Sequence, residues 1–375
     1  MTAEPAQLRR SLAAAIAVED PAWRDALEAV PRELFLDDTV FRPSGTQWEP
    51  VHRRTTGDEE WLGLVYRDTT WVTQVEGITA ADAPGPLTGR PTSSSTLPSL
   101  IMRMVDLAGI GDGDRVLEVG TGTGYSTAIL CHRLGDRNVY SVEYDPSLAA
   151  TAAEHIHAAG HSPTLVTGDG LAGHRDAADY DAIVATCAVR HIPPAWLYQV
   201  RSGGTITTTI SGWMLASGLI RLTVEDDGTA TGGFAGDRIS YMLARPHERP
   251  PRPMYYQRVG STRRTRLDPG LLDDWTGRFL AQLAAPSAEL MTTGDGVILV
   301  DVATGSQAWT EPAGDGWQVH QHGPLRLWDA AEEALTIWQD AGAPPQSDFG
   351  LTVEADGIQR VWLGEPDGPA WYLPV

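Results

Sequence analysis

The stretch "RVLEVGTGTGYSTAIL", Arg115–Leu130, contains the pattern that decides the fold. It begins with a short apolar run, continues with three glycines at alternate positions and ends in a segment of helical composition. Gly120, Gly122 and Gly124 let the backbone pass close to a ligand, and the helix predicted over 125–134 offers free backbone N–H groups at its start. The stretch therefore predicts a buried strand, a ligand-binding loop and a helix.

The segments that follow alternate between strand and helix patterns. Strand patterns occur in "NVYSVEYD" (138–145), "PTLVTGDG" (163–170), "YDAIVATCA" (180–188) and "GGTITTTIS" (203–211), and helical patterns separate them. Strands that alternate with helices build a mostly parallel sheet with helices on both faces. We therefore predict an α/β fold with a doubly wound, mostly parallel sheet.

Acidic residues lie in or directly after the strand of the opening stretch and the two strand patterns that follow it. A dinucleotide-binding loop has the spacing G-x-G-x-x-G. This loop is G-x-G-x-G, preceded by Glu118, which is the form that binds S-adenosylmethionine. Glu143 is placed to accept hydrogen bonds from both ribose hydroxyls, and Asp169 lies where the adenine is expected. The alternative is a structural strand-turn-helix followed by an Asp-Gly turn. The predicted cofactor-binding residues are Glu118, Gly120, Thr121, Gly122, Thr123, Gly124, Tyr125, Glu143, Tyr144, Asp169 and Gly170.

Several motifs resemble the protein-L-isoaspartate O-methyltransferase family. They are the glycine loop, "VPRELF" (30–35), "VEYDPSLAATA" (142–152) and "YDAIVATCAVRHIPPAWLYQV" (180–200), and the resemblance spans roughly residues 6–215. It implies a seven-strand, Rossmann-like methyltransferase sheet. It also implies S-adenosyl-L-methionine as methyl donor, S-adenosyl-L-homocysteine as product and a peptide side-chain carboxylate as acceptor.

The hydroxyl-rich stretch "PTSSSTLP", 91–98, is a candidate for the acceptor side of the site. In the resembling family a serine two residues before a proline faces the substrate carboxylate, and this serine corresponds to Thr96 here. Ser94 and Ser95 are further catalytic candidates, and Ser93 is a substrate-binding candidate. The alternative is that the run caps the helix that starts near Leu97. A carboxylate is ionised at neutral pH, so it needs orientation rather than a general base.

The composition changes towards the C-terminus. We predict a methyltransferase domain over 1–245 with a substrate-facing insertion over 36–90, in which "WLGLVYRD" is the one strand-like piece. An Arg/Pro-rich linker over 246–266 follows. Residues 267–375 form a smaller mixed α+β domain for substrate recognition, with three arginines against seventeen Asp and Glu, and seven of the thirteen tryptophans.

Three residues outside the loop are predicted to bind a peptide substrate. Arg263 and Arg264 lie in an Arg-rich ribbon, 245–266, that carries seven arginines on an otherwise acidic protein. The alternative is a solvated linker. His191 follows the fourth strand, at the sheet edge where open α/β folds bind ligands. A structural, hydrogen-bonded histidine is the alternative there.

The closing stretch "FGLTVEADGIQRVWLGEPDGPAWYLP", 349–374, resembles C-terminally extended actinobacterial members of the family. These are associated with graspetides, ribosomally made peptides crosslinked by ATP-grasp enzymes, in which they convert an Asp to an aspartimide. That resemblance implies a modified, macrocyclic precursor peptide as substrate. Two other hypotheses stay open: repair of L-isoaspartyl residues in damaged proteins, and an inactive binding module.

The composition excludes several classes of partner. A formal net charge of −21 argues against nucleic acid and anionic membranes, because binding to either needs a concentrated positive field. All 28 basic residues are arginines, which excludes Schiff-base chemistry. Two cysteines form no disulfide framework, no apolar run approaches a membrane span, and the histidines lack metal-ligand spacing. We expect a soluble, cytoplasmic, monomeric protein without a metal.

Overall fold

The computed structural model describes residues 4–251, 256–258, 260–294 and 296–374. The chain forms two compact units. The first contains Met1–Thr186 and Tyr198–Thr207, and the second contains Cys187–Leu197 and Thr208–Val375. This division differs from the predicted boundary at residue 245.

The first unit follows the predicted alternation of helices and strands. Its helices are α1 (Pro5–Ala15), α2 (Pro21–Ala29), α3 (Arg53–Thr56), α4 (Asp58–Val65), α5 (Pro98–Ala108), α6 (Tyr125–Leu134) and α7 (Pro146–Ala158). Its strands are β1 (Thr39–Ser44), β2 (Gln47–His52), β3 (Trp71–Val75), β4 (Ile78–Thr79), β5 (Pro91–Ser95), β6 (Val116–Val119), β7 (Val139–Glu143) and β8 (Thr164–Thr167). Two longer strands, β9 (Tyr180–Val189) and β10 (Val200–Ile210), contribute residues to both units.

The main sheet of the first unit has the order β8-β7-β6-β9-β10. β6 runs parallel to β7 and β9, and β7 runs parallel to β8, with Glu118 opposite Ser141. All four residues of β6 are buried, as expected for a parallel strand covered on both faces. The predicted α/β fold is confirmed. Because parallel strands end at the same edge, the glycine loop, Glu143 and Asp169 are brought to one edge of the sheet.

The predicted insertion contains a separate antiparallel sheet. Its order is β2-β1-β3-β4, and β5 pairs with β3. A small core of Phe41, Val72, Val75 and Ala80 supports it. The prediction that "WLGLVYRD" is strand-like is wrong, because its first five residues belong to helix α4. Its substrate-facing role stays a prediction.

In its described residues, the second unit combines two sets of strands with three α-helices. The helices are α8 (Pro194–Leu197), α9 (Trp275–Ala284) and α10 (Leu327–Asp340). The strands are β11 (Gly218–Val224), β12 (Ala230–Gly233), β13 (Ser261–Thr265), β14 (Ala288–Thr293), β15 (Gly296–Asp301), β16 (Gln307–Ala313), β17 (Gly316–His322), β18 (Phe349–Val353), β19 (Gln359–Leu363) and β20 (Ala370–Tyr372).

One set of strands in the second unit has the order β20-β19-β18-β12-β11, and the other has the order β13-β17-β16-β15-β14. The predicted linker is not wholly irregular, because β13 lies within it and pairs with β17. Residues 252–255 and 259 of that linker lie outside the described residues.

Within the part of the chain that the structure describes, no helix is long and apolar enough to cross a lipid bilayer.

Candidate active site

The glycine loop adopts a conformation that requires glycine. Gly120, Gly122 and Gly124 have φ angles of 100°, 56° and 89°, a region that other residues rarely adopt. A Cβ atom at Gly120 would lie 2.8 Å from Oγ1 of Thr186, and one at Gly124 would lie 2.8 Å from Cγ1 of Ile156. Gly122 has more space, since a Cβ atom there would lie 3.5 Å from the Ser94 carbonyl oxygen. The loop is therefore close-packed on two sides and passes directly beside the serine run.

Glu118 stabilises this loop through buried hydrogen bonds. Its side chain is fully buried and accepts hydrogen bonds from the hydroxyls of Ser126, Thr127 and Ser141. Ser141 donates to Glu118, so the Thr121 hydroxyl, 2.7 Å away, donates to Ser141. Burial raises the pKa of Glu118 despite these three bonds. The structure thus gives Glu118 and Thr121 a supporting position, where we had predicted contact with the cofactor.

Glu143 connects β7 to the loop. Its Oε2 accepts the backbone N–H of Gly122 at 2.8 Å, and its Oε1 accepts that of Asp145 at 3.0 Å. Burial is the largest influence on its carboxyl group and raises its pKa, against backbone hydrogen bonds from Asp145, Gly122 and Tyr144. The two carboxylate oxygens together offer about four acceptor sites, so acceptor capacity remains for a ligand hydroxyl. This arrangement suits a ribose diol.

The third strand end lies beside these residues. The Gly168 N–H donates to the Glu143 carbonyl at 2.8 Å, and exposed Asp169 accepts the Leu171 N–H at 2.9 Å. A Cβ at Gly170 would lie 2.4 Å from Cγ1 of Val119, so only glycine allows this close packing on β6. Tyr144 is half exposed next to Glu143. Asp169, Gly170 and Tyr144 thus remain candidates for the adenine end of the cofactor.

Tyr125 lies in the core. Its exposed fraction is 2%, and its ring packs 5.5 Å from that of Phe35. Burial raises its pKa to about 12. Tyr125 is therefore a core residue, which corrects the predicted contact between Tyr125 and the cofactor. Thr123 contributes its carbonyl oxygen to a hydrogen bond with His155.

The serine run forms strand β5, so it does not cap a helix. Helix α5 has Leu97 at its N-cap without a side-chain bond, and its first turn is held instead by Asp68, which accepts the Ser99 N–H at 2.9 Å. Alternation along the strand buries Ser93 and Ser95 and leaves Ser94 and Thr96 half-buried. The capping alternative is therefore wrong.

The two faces of the strand have different hydrogen bonding. Ser93 bonds to the Thr73 hydroxyl at 3.1 Å, and Ser95 faces the guanidinium of Arg32. Among the described residues the hydroxyls of Ser94 and Thr96 have no protein partner. Ser94 and Thr96 are therefore available to a ligand, whereas Ser93 and Ser95 are engaged in the fold.

Arg32, in "VPRELF", is a supporting residue that the sequence did not single out. It is fully buried and donates to the backbone carbonyls of Val65, Arg67, Thr69, Ser95 and Thr96, at 2.8 to 3.4 Å. Burial lowers its pKa, yet a guanidinium keeps its charge in proteins. Arg32 thereby fixes the end of β5 that carries Thr96.

Thr186 and His155 were also not predicted. The Thr186 hydroxyl donates to the Gly120 carbonyl at 2.6 Å. His155 lies 3.1 Å from the Thr123 carbonyl and 2.7 Å from Asp37. Both residues hold the loop through backbone oxygens, which any residue type possesses, so no sequence motif marks these contacts.

Two of the three predicted substrate-binding residues in the second unit, Arg263 and His191, already contact other side chains of that unit. Arg263 pairs with Asp329 and Glu332. His191 packs against His247 with ring centroids 4.6 Å apart, and burial lowers the pKa of both, to about 4 for His247. These contacts favour the structural alternative for Arg263 and His191. Arg264 is exposed on the edge strand β13. A peptide-binding role for these residues stays a prediction.

One group of residues has the composition of a metal site. Potential ligand atoms of Cys131, Asp136 and His161 lie within 4.8 Å of one another. Asp136 accepts from Nδ1 of His161 at 2.9 Å and from the Ser162 N–H at 2.7 Å. Burial raises the pKa of Cys131, which disfavours the thiolate that a metal needs. The hydrogen bonds of Asp136 account for the proximity of Asp136 and His161.

A parallel sheet with a close-packed glycine loop and an acidic side chain at the next strand end is the arrangement of a Rossmann-like fold that binds a nucleoside cofactor. The model for "Protein-L-isoaspartate(D-aspartate) O-methyltransferase (PCMT)" matches residues 62–228. The protein-L-isoaspartate O-methyltransferase of Ignicoccus hospitalis is 32% identical over 206 residues, covering 54% of this chain and 80% of that protein. Protein-L-isoaspartate O-methyltransferase 1 of an Anaeromyxobacter species is 31% identical over 225 residues, covering 60% and 86%.

The chain belongs to the protein-L-isoaspartate O-methyltransferase family. The expected enzyme class, an S-adenosylmethionine-dependent carboxyl O-methyltransferase, is confirmed. A solved protein-L-isoaspartate O-methyltransferase covers 96% of this chain and 100% of its own, with a TM-score of 0.55 and 19% identity. That similarity in fold reaches beyond residue 228, the last residue that the family model matches.

Proposed function

We propose that this protein methylates the free carboxylate of L-isoaspartyl residues in proteins or peptides, as a repair methyltransferase. The observation that carries the proposal is the position of Ser94 and Thr96. Both residues are half-buried, their hydroxyls lack protein partners among the described residues, and the Ser94 backbone borders the loop at Gly122. A polar acceptor group bound by these hydroxyls would lie beside the cofactor loop.

The residues at the strand ends suit S-adenosylmethionine. Glu143 would accept from the ribose hydroxyls, Gly120 and Gly122 would let the backbone approach, and Asp169 and Tyr144 would lie towards the adenine. When bound, the cofactor supplies an electrophilic methyl group on a sulfonium centre. Glu118 and Thr186 would act indirectly by holding the loop.

The acceptor requires orientation and needs no activation by a base. A carboxylate is ionised at neutral pH, and hydroxyl donors keep it charged while fixing its direction. We assign this orienting role to Thr96, with Ser94 as its neighbour. The products would be a methyl ester and S-adenosyl-L-homocysteine. The ester can then lose methanol when the following backbone nitrogen closes a five-membered imide.

A second candidate substrate is an Asp side chain in a macrocyclic, ribosomally made precursor peptide of the graspetide type, with an aspartimide as final product. The chain's acidic C-terminal part and the exposed Arg264 favour it. The relatives, however, carry the name of the isoaspartyl enzyme. A solved enzyme of that name also covers nearly the whole chain in fold. The repair function therefore stands first, and cytoplasmic location and a monomeric state remain predictions.

The experiment compares three peptides in the presence of S-adenosylmethionine. A generic isoaspartyl peptide, its matched L-aspartyl form and a crosslinked acidic macrocycle are followed by mass spectrometry for methyl addition and then methanol loss. Repair activity requires that the isoaspartyl peptide reacts fastest. Preference for the macrocycle over both linear peptides would replace the first proposal with the second.

A further inference from the structure

His155, on helix α7, connects the glycine loop to the start of the 36–90 segment. Its Nδ1 lies 3.1 Å from the carbonyl oxygen of Thr123, and its Nε2 lies 2.7 Å from Oδ1 of Asp37. The ring is edge-on to Phe35, with centroids 5.9 Å apart. The imidazole thus spans two elements that are separated by 86 positions in the chain, from 37 to 123.

Both partners of the ring are hydrogen-bond acceptors. A backbone carbonyl and a carboxylate have no proton to donate, so each bond requires an N–H on the histidine. A neutral imidazole has only one N–H, whereas the imidazolium has two. The geometry therefore requires His155 to be protonated when both bonds are formed.

The electrostatic surroundings favour this charged form. Burial is the largest single influence and lowers the pKa of His155, but the bond and charge of Asp37, the Thr123 carbonyl and Glu154 outweigh it. The net pKa is raised above its ordinary value. Phe35, which faces the ring from the 32–35 turn, is uncharged. The charged neighbours named here, Asp37 and Glu154, are both carboxylates.

The partner of His155 has an unusual backbone. Asp37 and Asp38 are consecutive residues with φ angles of 46° and 55°. Such a conformation costs free energy at a residue other than glycine, and surrounding contacts must hold it. His155 contacts the first, and Arg53 pairs with the second at 3.0 Å. Loss of the His155 bond would therefore release both the loop carbonyl and one anchor of this turn.

We propose that protonated His155 is a positioning residue that holds the glycine loop in its cofactor-binding conformation. This inference rests on the proposed cofactor site. The protonated form is the competent one, so cofactor affinity is complete below the pKa of His155 in the folded protein. It falls as the pH rises through that value.

The test is a pH series of S-adenosylhomocysteine binding by calorimetry. The protonation state of His155 is followed in the ligand-free protein by ¹⁵N NMR. Affinity of the wild type should fall about tenfold, the factor of a hydrogen bond to a charged group, over the pH range in which the His155 signal titrates. Asp37→Asn keeps an acceptor oxygen but removes the charge. It should therefore move the midpoint of the affinity change and the midpoint of the His155 NMR titration to lower pH.

Two further variants separate positioning from folding. The glutamine side chain in His155→Gln cannot donate N–H groups to both partners. This variant should therefore bind S-adenosylhomocysteine weakly at every pH, with no change in affinity across the pH series. His157→Gln is the matched control, because His157 is exposed on the same helix, and it should behave as the wild type. A thermal melt of each variant identifies those that fail to fold.

The outcomes distinguish this inference from the proposed function. Absence of binding at any pH in the folded wild type would refute the cofactor site itself. Binding that is tight and independent of pH, or an Asp37→Asn midpoint equal to that of the wild type, would leave the cofactor site intact and overturn the role of His155.

Discussion

The carboxylate of Glu143 accepts the backbone N–H of Gly122 at 2.8 Å. The side chain expected to hold the ribose therefore also fixes the middle of the glycine loop. In the proposed cofactor site, one carboxylate would therefore serve both ribose recognition and the shape of the loop. A change at Glu143 should affect the loop even before a ligand binds.

Replacement of Glu143 should weaken cofactor binding by two routes. Glu143→Ala removes the acceptor for the ribose, worth roughly 1.5–3 kcal/mol for a charged acceptor. It also leaves the Gly122 N–H without its partner. Glu143→Gln keeps one acceptor oxygen and should lose less. Calorimetry with S-adenosylhomocysteine measures both, and an unchanged affinity in Glu143→Ala would refute the assignment of the cofactor site.

The loop glycines should not tolerate a methyl group. Gly124→Ala would place Cβ 2.8 Å from Ile156 at a φ of 89°, so it combines a clash with backbone strain. Gly160→Ala is a matched control, because Gly160 has a φ of 88° and nothing within 4 Å. Chemical denaturation should show a larger loss of unfolding free energy for Gly124→Ala. Equal losses would mean that the clash with Ile156 is unimportant.

Thr96 should affect turnover more than cofactor binding. Thr96→Val removes the hydroxyl at nearly constant volume and should lower kcat on an isoaspartyl peptide, while S-adenosylhomocysteine affinity is retained. Thr96→Ser keeps the hydroxyl and should retain most activity. Ser95→Ala is the control on the buried face of the strand. If Thr96→Val were fully active, the orienting role would pass to Ser94.

Arg32 should be essential for stability. Arg32→Met fills a similar volume but leaves several buried carbonyls without donors, at about 1–3 kcal/mol for each that finds no other partner. We expect a large drop in melting temperature, measured by calorimetry. Arg32→Lys retains the charge with fewer donors and should be intermediate. A melting temperature of Arg32→Met near that of the wild type would contradict the supporting role.

The two arginines of β13 should behave differently. Arg263 is paired with acidic side chains of α10, so Arg263→Glu should destabilise the fold. Arg264 is exposed, so Arg264→Glu should leave the melting temperature nearly unchanged and weaken binding of an acidic peptide at low salt. Peptide affinity that is independent of salt in the wild type would remove the basic ribbon from substrate binding.

The sequence predicted the parts of the site that follow one another along the chain. The loop glycines, Glu143 and Asp169 each follow a strand, and parallel pairing brings strand ends together without further information. Arg32 and His155 could not be found this way, because their contacts join residues that are tens of positions apart in the chain. Glu118 and Tyr125 were assigned to the ligand surface because the motif shows their spacing but not their burial.

The pairing of the serine run was also not evident from its composition. Consecutive hydroxyls suit a helix cap and a strand equally well, and only the pairing with β3 decides between them. That pairing sorts the run into buried and available hydroxyls, which reduces four candidates to Ser94 and Thr96.

The path of the chain between the two units has a consequence for biosynthesis. The first unit includes Tyr198–Thr207, which the ribosome makes only after Cys187–Leu197 of the second unit. No single cut in the chain separates the two units. A shortened protein that ends at residue 245 would contain the whole first unit together with an incomplete second one. We therefore expect the enzyme to acquire its final form only late in translation, and to resist dissection into independently expressed halves.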